Sequence, residues 1–122
     1  MEVINRNNEK IILNGGRSVT RMYATVEKYR IYFTSTVGRI CEMKEGLYVH
    51  FLNEGDMWQF YIDDNTDGFK LTPVRTKNGF HVTNAGLVNM ILNSTGHKPF
   101  KKFEIAKTQN IQDKCIVYSM TP

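Results

Sequence analysis

Residues 31–43 read IYFTSTVGRICEM and residues 80–92 read FHVTNAGLVNMIL, and the likeness between the two decides the fold. Each opens on β-forming residues, passes through a pair of small polar residues suited to a helix N-cap, and continues with apolar residues at helical spacing. In the first, Thr34-Ser35 precedes Val37, Ile40 and Cys41. A short amphipathic helix is expected to run through Met43 and to end at Lys44-Glu45-Gly46, the glycine taking the left-handed C-terminal position. In the second, Thr83-Asn84 precedes Leu87, Val88, Ile91 and Leu92, an apolar helical face that ends near Thr95-Gly96. At an offset of 49 residues, Thr34 aligns with Thr83 and Ser35 with Asn84, cap on cap. The expectation is an internal repeat of strand, helix and hairpin.

Outward from these stretches the chain reads as strands. Residues 23–33 alternate and are rich in β-formers, giving a strand or a pair of short strands. Within 28–33, alternation puts Tyr29, Ile31 and Phe33 on one face and Lys28, Arg30 and Tyr32 on the other. After the first helix come strands at 47–52 and 57–62, joined by the turn Asn53-Glu54-Gly55-Asp56, then one at 69–75. The second half offers strands at 79–82, 100–107 and 114–120. The fold class expected is α+β: a β-rich small domain with two short helices, built as strand-helix-hairpin twice. A chain of 122 residues suits one domain, 1–122, large enough to bury a core unaided, with repeat units at 23–75 and 76–122.

Composition excludes several classes. Hydrophobic residues make up 41% of the chain, and no stretch approaches the roughly 20 apolar residues of a membrane span. The opening MEVINRNNEK has no apolar run of the signal-peptide kind, so the expected address is the cytoplasm, with no membrane partner. Cys41 and Cys115 then read as free thiols, and neither a CxxC nor a Cys/His spacing points to zinc.

The stretch IDDNTDGFKL sets Asp63, Asn65 and Asp67 at positions 1, 3 and 5 of a calcium-loop pattern, with Gly68 at position 6. Position 12, where an EF-hand needs a carboxylate, is Val74, and both flanks are strand-like. A polar turn is the reading, and a metal site on Asp63, Asp64 and Asp67 the alternative. His50, His81 and His97 show no HxxxH or HExxH spacing, GxSxG is absent, and Gly15-Gly16 opens no phosphate-loop motif. The chain is therefore read as non-enzymatic, with no catalytic residues, metal or cofactor. His50 and His81, both in strands, are expected to point out from a sheet face.

Charge is distributed in blocks. Residues 1–41 hold seven Lys/Arg against three acids, 42–67 one against seven, and 68–107 seven against one, within a net charge of +4. Blocks of this kind form a basic and an acidic face, or they pair strand on strand and neutralise locally. Aromatic residues lie among the basic ones, in the manner of single-strand binders that stack bases on a sheet face; the alternative use of most of them is to fill the core. The face bearing Lys28, Arg30 and Tyr32 is the candidate for nucleic acid, and the later basic block adds Arg75, Lys77, Lys101 and Lys102.

Arg30-Ile31-Tyr32-Phe33-Thr34, then STVGRICEM, Lys44-Glu45-Gly46 and the strand LYVHFL form a basic strand, a short helix, a K-E-G turn and a further strand. This order over residues 28–62 resembles AbrB-type swapped-hairpin domains, with Thr34 where that family prefers proline and Leu47 where it usually has aspartate. The resemblance implies a pseudo-dimer of two hairpin units. It also implies binding of duplex DNA as a transcriptional regulator, with Arg30, Arg39 and Lys44 as contacts. The expected function is a small intracellular nucleic-acid-binding protein, with DNA or RNA as partner. The alternative is a non-enzymatic protein-interaction or structural module of phage or mobile-element type, with a protein partner or a homo-oligomer.

Overall fold

A computed structural model describes residues 22–122; Gly15-Gly16 and the basic residues up to Arg21 lie outside the described residues. The chain forms strands β1 (Met22–Val26) and β2 (Arg30–Phe33), helix α1 (Ser35–Ile40), then β3 (Tyr48–Glu54) and β4 (Met57–Asp63). Two short segments follow, β5 (Phe69–Lys70) and β6 (Thr72–Val74), then β7 (Gly79–Thr83) and helix α2 (Ala85–Thr95). A long hairpin, β8 (Lys101–Gln112) and β9 (Cys115–Thr121), completes it. No helix among the described residues is long and apolar enough to cross a membrane.

All nine strands belong to one sheet in the order β5-β3-β4-β9-β8-β1-β2-β7-β6, and every neighbouring pair is antiparallel. Its two outermost strands, β5 and β6, are separated in the chain by Leu71 alone. Both edges of the sheet are thus the two ends of one extended segment, and the sheet curls nearly shut. Leu71 is fully buried at the seam, and its N–H donates to the Leu47 carbonyl at 3.1 Å. Near-closure shortens the unpaired edges that an open sheet exposes to other chains to two and three residues. Around the barrel the hairpins alternate between the halves of the chain: β1–β2, β7–β6, β3–β4, then β9–β8.

Alternation along each strand fills the interior. Ala24 and Val26, Ile31 and Phe33, Trp58 and Phe60, and Phe103 and Ile105 are all buried. Phe33 on β2 and Phe60 on β4 come from opposite walls, and their ring centroids are 5.4 Å apart, so the barrel is packed solid. Each valine, isoleucine or phenylalanine among them contributes about 1.5–3 kcal/mol on withdrawal from water, before conformational entropy is set against it. The helices cover the two ends. α2 buries Leu87, Val88, Ile91 and Leu92 at the end where β4 begins, and there Trp58 Nε1 donates to Ser94 Oγ at 2.7 Å. α1 covers the other end, where Ile40 and Cys41 meet Ile62 and Tyr118.

The expected elements differ from the observed ones at instructive places. Helix α1 stops at Ile40, before the anticipated Met43 and Gly46: Glu42 takes the left-handed conformation (φ 56°), and Met43 N–H donates back to the Gly38 carbonyl at 2.8 Å. That turn drives Met43 into the core, where it is buried, and a longer helix would carry it past. The N-caps are Thr34, whose side chain makes no capping bond, and Asn84, whose Oδ1 accepts from Leu87 N–H at 2.8 Å. The caps thus fall 50 residues apart, one position off the 49-residue offset that sets Thr34 against Thr83. α2 ends on Gly96 (φ 73°), as its sequence indicates. Tyr29, expected beside Ile31 and Phe33 on the inner face, is 66% exposed, because a tight turn in which Glu27 N–H donates to the Arg30 carbonyl (2.9 Å) breaks the alternation. β8 runs to Gln112, five residues past the expected end at 107.

If the seam closes the barrel, Leu71→Ala should cost about 2–5 kcal/mol in urea unfolding, the range for truncating a buried leucine. Met57→Ala, at a position 57% exposed, should change stability by less than about 0.5 kcal/mol. Equal costs for the two would show that the seam contributes nothing.

Candidate nucleic-acid interface

Strand register decides which outward side chains become neighbours. Lys102 on β8 lies opposite Thr25 on β1, Thr25 opposite Tyr32 on β2, Tyr32 opposite His81 on β7, and His81 opposite Thr72 on β6. These five residues form one row across the outer surface, perpendicular to the strands. Flanking it, Glu104 pairs with Tyr23, and Arg30 with Thr83. Two lysines lie on aromatic faces, Lys77 Nζ 5.3 Å from the Tyr32 ring centre and Lys102 Nζ 5.4 Å from that of Tyr23. Contacts of this kind at exposed sites are worth about 0.5–1 kcal/mol and keep the amines close to the sheet.

Gly79 is what allows Tyr32 to lie along the neighbouring strand. A Cβ there would fall 2.7 Å from the Tyr32 hydroxyl and 2.3 Å from the Phe33 carbonyl oxygen, so only glycine fits beneath the ring. Beside it, His81 is partly covered, and its Nδ1 is buried without a hydrogen-bond partner. Burial lowers the His81 pKa, the Arg30 charge pushes the same way, and Glu27 opposes both.

The predicted contact residues divide into three places. Lys28, in the exposed β1–β2 turn, and Arg30, whose Nε donates to Glu27 Oε1 at 2.8 Å, lie at the α2 end of the barrel with Lys101 and Lys102. Tyr32 joins Lys77 in the middle of the same side, and Arg75 stands in the β6–β7 turn near the α1 end. Arg39, on α1, and Lys44, in the loop leading to β3, are set apart from the row. Sequence alone did not single out Thr25 and His81 as members of the row or pair Tyr23 with Lys102. Strand alternation marks them as outward, but the register that brings them together joins residues far apart in the chain.

No family model, curated protein or solved structure matches this chain. The site is therefore read from its own geometry.

Across the barrel the charge reverses. β3 and β4 stand opposite β1 and β2 in the closed order, and their turns carry Glu54, Asp56, Asp63, Asp64 and Asp67. Among the described residues the Lys/Arg–carboxylate ion pair is Arg30–Glu27, between near neighbours in sequence. Lys28, Lys77, Lys101 and Lys102 thus stand across the barrel from these carboxylates, although β5, which carries Lys70, pairs with β3. The 63–68 stretch is a chain of side-chain-capped turns: Asp63 Oδ1 accepts from Asn65 N–H and Asn65 Oδ1 from Asp67 N–H, each at 2.9 Å. His50 Nε2 lies 2.7 Å from Asp63 Oδ1 and its ring stacks on Tyr61, with centroids 4.8 Å apart. Among the described residues, no group of three or more His, Cys, Asp or Glu is placed to hold a metal. Cys41 and Cys115 are free thiols, and burial pushes Cys41 up to about 12, which keeps it protonated.

A lowered His81 pKa has a definite sign. Below the ordinary value of 6.5 the unfolded chain takes up a proton that the folded chain resists, so stability falls as pH drops through and below that value. His81→Gln should remove part of this loss. The stability difference between wild type and variant in urea, measured at neutral and mildly acidic pH, should shift in favour of the variant on acidification. An unchanged difference would show that the His81 ring titrates normally.

Proposed function

We propose that the protein binds nucleic acid through the β8-β1-β2-β7 side of the barrel, as a regulator built from two interleaved hairpin units. The observation that carries this reading is the row Lys102-Thr25-Tyr32-His81, with Lys77 over Tyr32 and the acidic turns of β3 and β4 across the barrel. Phosphate oxygens need fixed positive charge that is not already neutralised, and Lys28, Lys77 and Lys102 are exposed amines on one side. Tyrosine and histidine between them add π-faces and hydrogen-bonding groups.

The alternation of hairpins around the barrel supports the second half of the proposal. Exchanging β1–β2 with β6–β7, and β3–β4 with β8–β9, returns the same circular order read in the opposite direction. Such a relation is what a twofold axis across the barrel produces. It fits a repeat in which 69–74 belongs with the second unit, and the interleaving is what likeness to AbrB-type swapped-hairpin domains implies. The second helix is longer, eleven residues against six, so the sequence offset between the units is not constant along the chain.

One observation favours a protein-interaction module instead. Ile111 is 70% exposed on the β8–β9 hairpin, and its cross-strand partner Ile116 shares a depression with Ile40 and Ile62 at the α1 end.

Fluorescence anisotropy with labelled DNA and RNA, across a range of salt, separates the two. Nucleic-acid binding predicts an affinity that falls steeply with salt. In the Lys28→Ala/Lys77→Ala/Lys102→Ala variant the logarithmic slope should be shallower by about 0.9 for each duplex phosphate contact removed. Glu54→Gln/Asp56→Asn, on the far side, should leave the slope unchanged. An absence of polynucleotide binding at low salt would overturn the proposal in favour of the apolar surface.

A further inference from the structure

We infer that the cleft between the β1–β2 turn and the start of β8 stacks an unpaired nucleobase, so that the protein prefers single-stranded over duplex nucleic acid. This inference rests on the nucleic-acid reading above and names a substrate class that the row of basic residues does not specify.

The cleft, about 370 Å³, is lined by Glu27, Lys28, Tyr29, Arg30, Thr83 and Phe100. Two of these are aromatic and largely in water: Tyr29 is 66% exposed and Phe100 63%. Isolated exposed aromatics are ordinary, but two lining one cleft beside cations are not. Phe100 is held there against its own preference. Its φ is +68°, a region that side-chain-bearing residues avoid, and the conformation is pinned by its N–H donating to the Val26 carbonyl at 2.7 Å. Glycine or asparagine would suit that backbone better. A chain can also enter a long hairpin with its apolar residue turned inward: Leu47, just before β3, is half-buried against the core.

The charges around the rings fit a polynucleotide. Glu27 is the acid of the cleft, and its carboxylate is taken by Arg30, which leaves the Lys28 ammonium for a phosphate. Thr83 offers a hydroxyl, and Lys102, next but one to Phe100, continues the positive track onto the row described above. Every base has a π-face that an exposed ring can meet, so the site is tolerant of sequence, while a base inside a duplex has its faces already covered by its neighbours.

The test compares a short mixed-sequence single strand, the same strand carrying abasic residues, and its duplex, by anisotropy at one low salt concentration. Wild type should bind the intact strand tighter than the duplex and lose affinity for the abasic strand. Tyr29→Ala and Phe100→Gly should each weaken single-strand binding by about 5- to 150-fold, as loss of one stacking platform does, with little effect on the duplex. Phe100→Gly relieves the backbone conformation, so its melting temperature should equal or exceed the wild-type value, which separates lost binding from lost folding. Equal binding of intact and abasic strands, or full single-strand affinity in both variants, would overturn the cleft and leave the basic row standing. Failure of wild type to bind any of the three would overturn both.

Discussion

Closure of the sheet through residues 69–74 is the constraint on which the rest of the structure depends. One extended segment pairs with β3 through Phe69 and Lys70 and with β7 through Thr72, Pro73 and Val74, and Leu71 is buried between them. A sheet that ends on its own chain in this way keeps only two short edges, of two and three residues. Its closed order sets which strands face one another across the interior, so Phe33 reaches Phe60 and the core is filled from both walls. It also leaves two open ends, and those are where an amphipathic helix can bury its apolar stripe without competing for strand partners. α1 and α2 occupy one end each, and α2 is tied in place by Trp58.

Much of this was legible along the chain and little of it across the chain. The strand and helix positions follow from local patterns: alternation, small polar caps and Gly96 are all short-range signals. The order of strands is not a local property. The pairing of β2 with β7 joins Arg30 to Thr83, and that of β4 with β9 joins Phe60 to Tyr118, contacts that no periodicity encodes. The same limit explains the candidate site. Lys28, Arg30 and Tyr32 could be seen as one strand face, but the turn at 27–29 takes Tyr29 out of the inner face and Lys28 out of the strand. Likewise, the charge blocks are visible in sequence, yet whether they oppose or neutralise each other depends on β3–β4 standing opposite β1–β2.

Local signals also misjudged where α1 ends, for a reason tied to packing. Gly46 is the residue that ordinarily takes a left-handed C-cap, and it does adopt a positive φ of 98°, but in the loop before β3. The helix closes earlier on Glu42 because Cys41 and Met43 must both reach the core, and six helical residues bring them there. Tertiary burial outweighs the backbone cost of a positive φ at a glutamate, roughly 1–2 kcal/mol, since each buried side chain contributes at least as much.

The same comparison gives Phe100 its meaning. Positive φ occurs at Gly46, Gly55 and Gly96, where it costs nothing, and at Asn78 and Asp113, whose short polar side chains tolerate it. Glu42 and Lys114 are long polar residues in turns, and at Glu42 the burial of the next residue, Met43, offsets the strain. Phe100 has no such compensation. Its ring is mostly in water, so folding gains little from burying it, and its backbone is held in the disfavoured region by a bond to Val26 that any residue but proline could make. At Gly96 local preference and packing agree, and at Glu42 packing overrides preference; Phe100 differs from both. Here neither is satisfied by the folded chain alone, and an exposed ring fixed beside Tyr29 and Lys28 is what a stacking ligand would use.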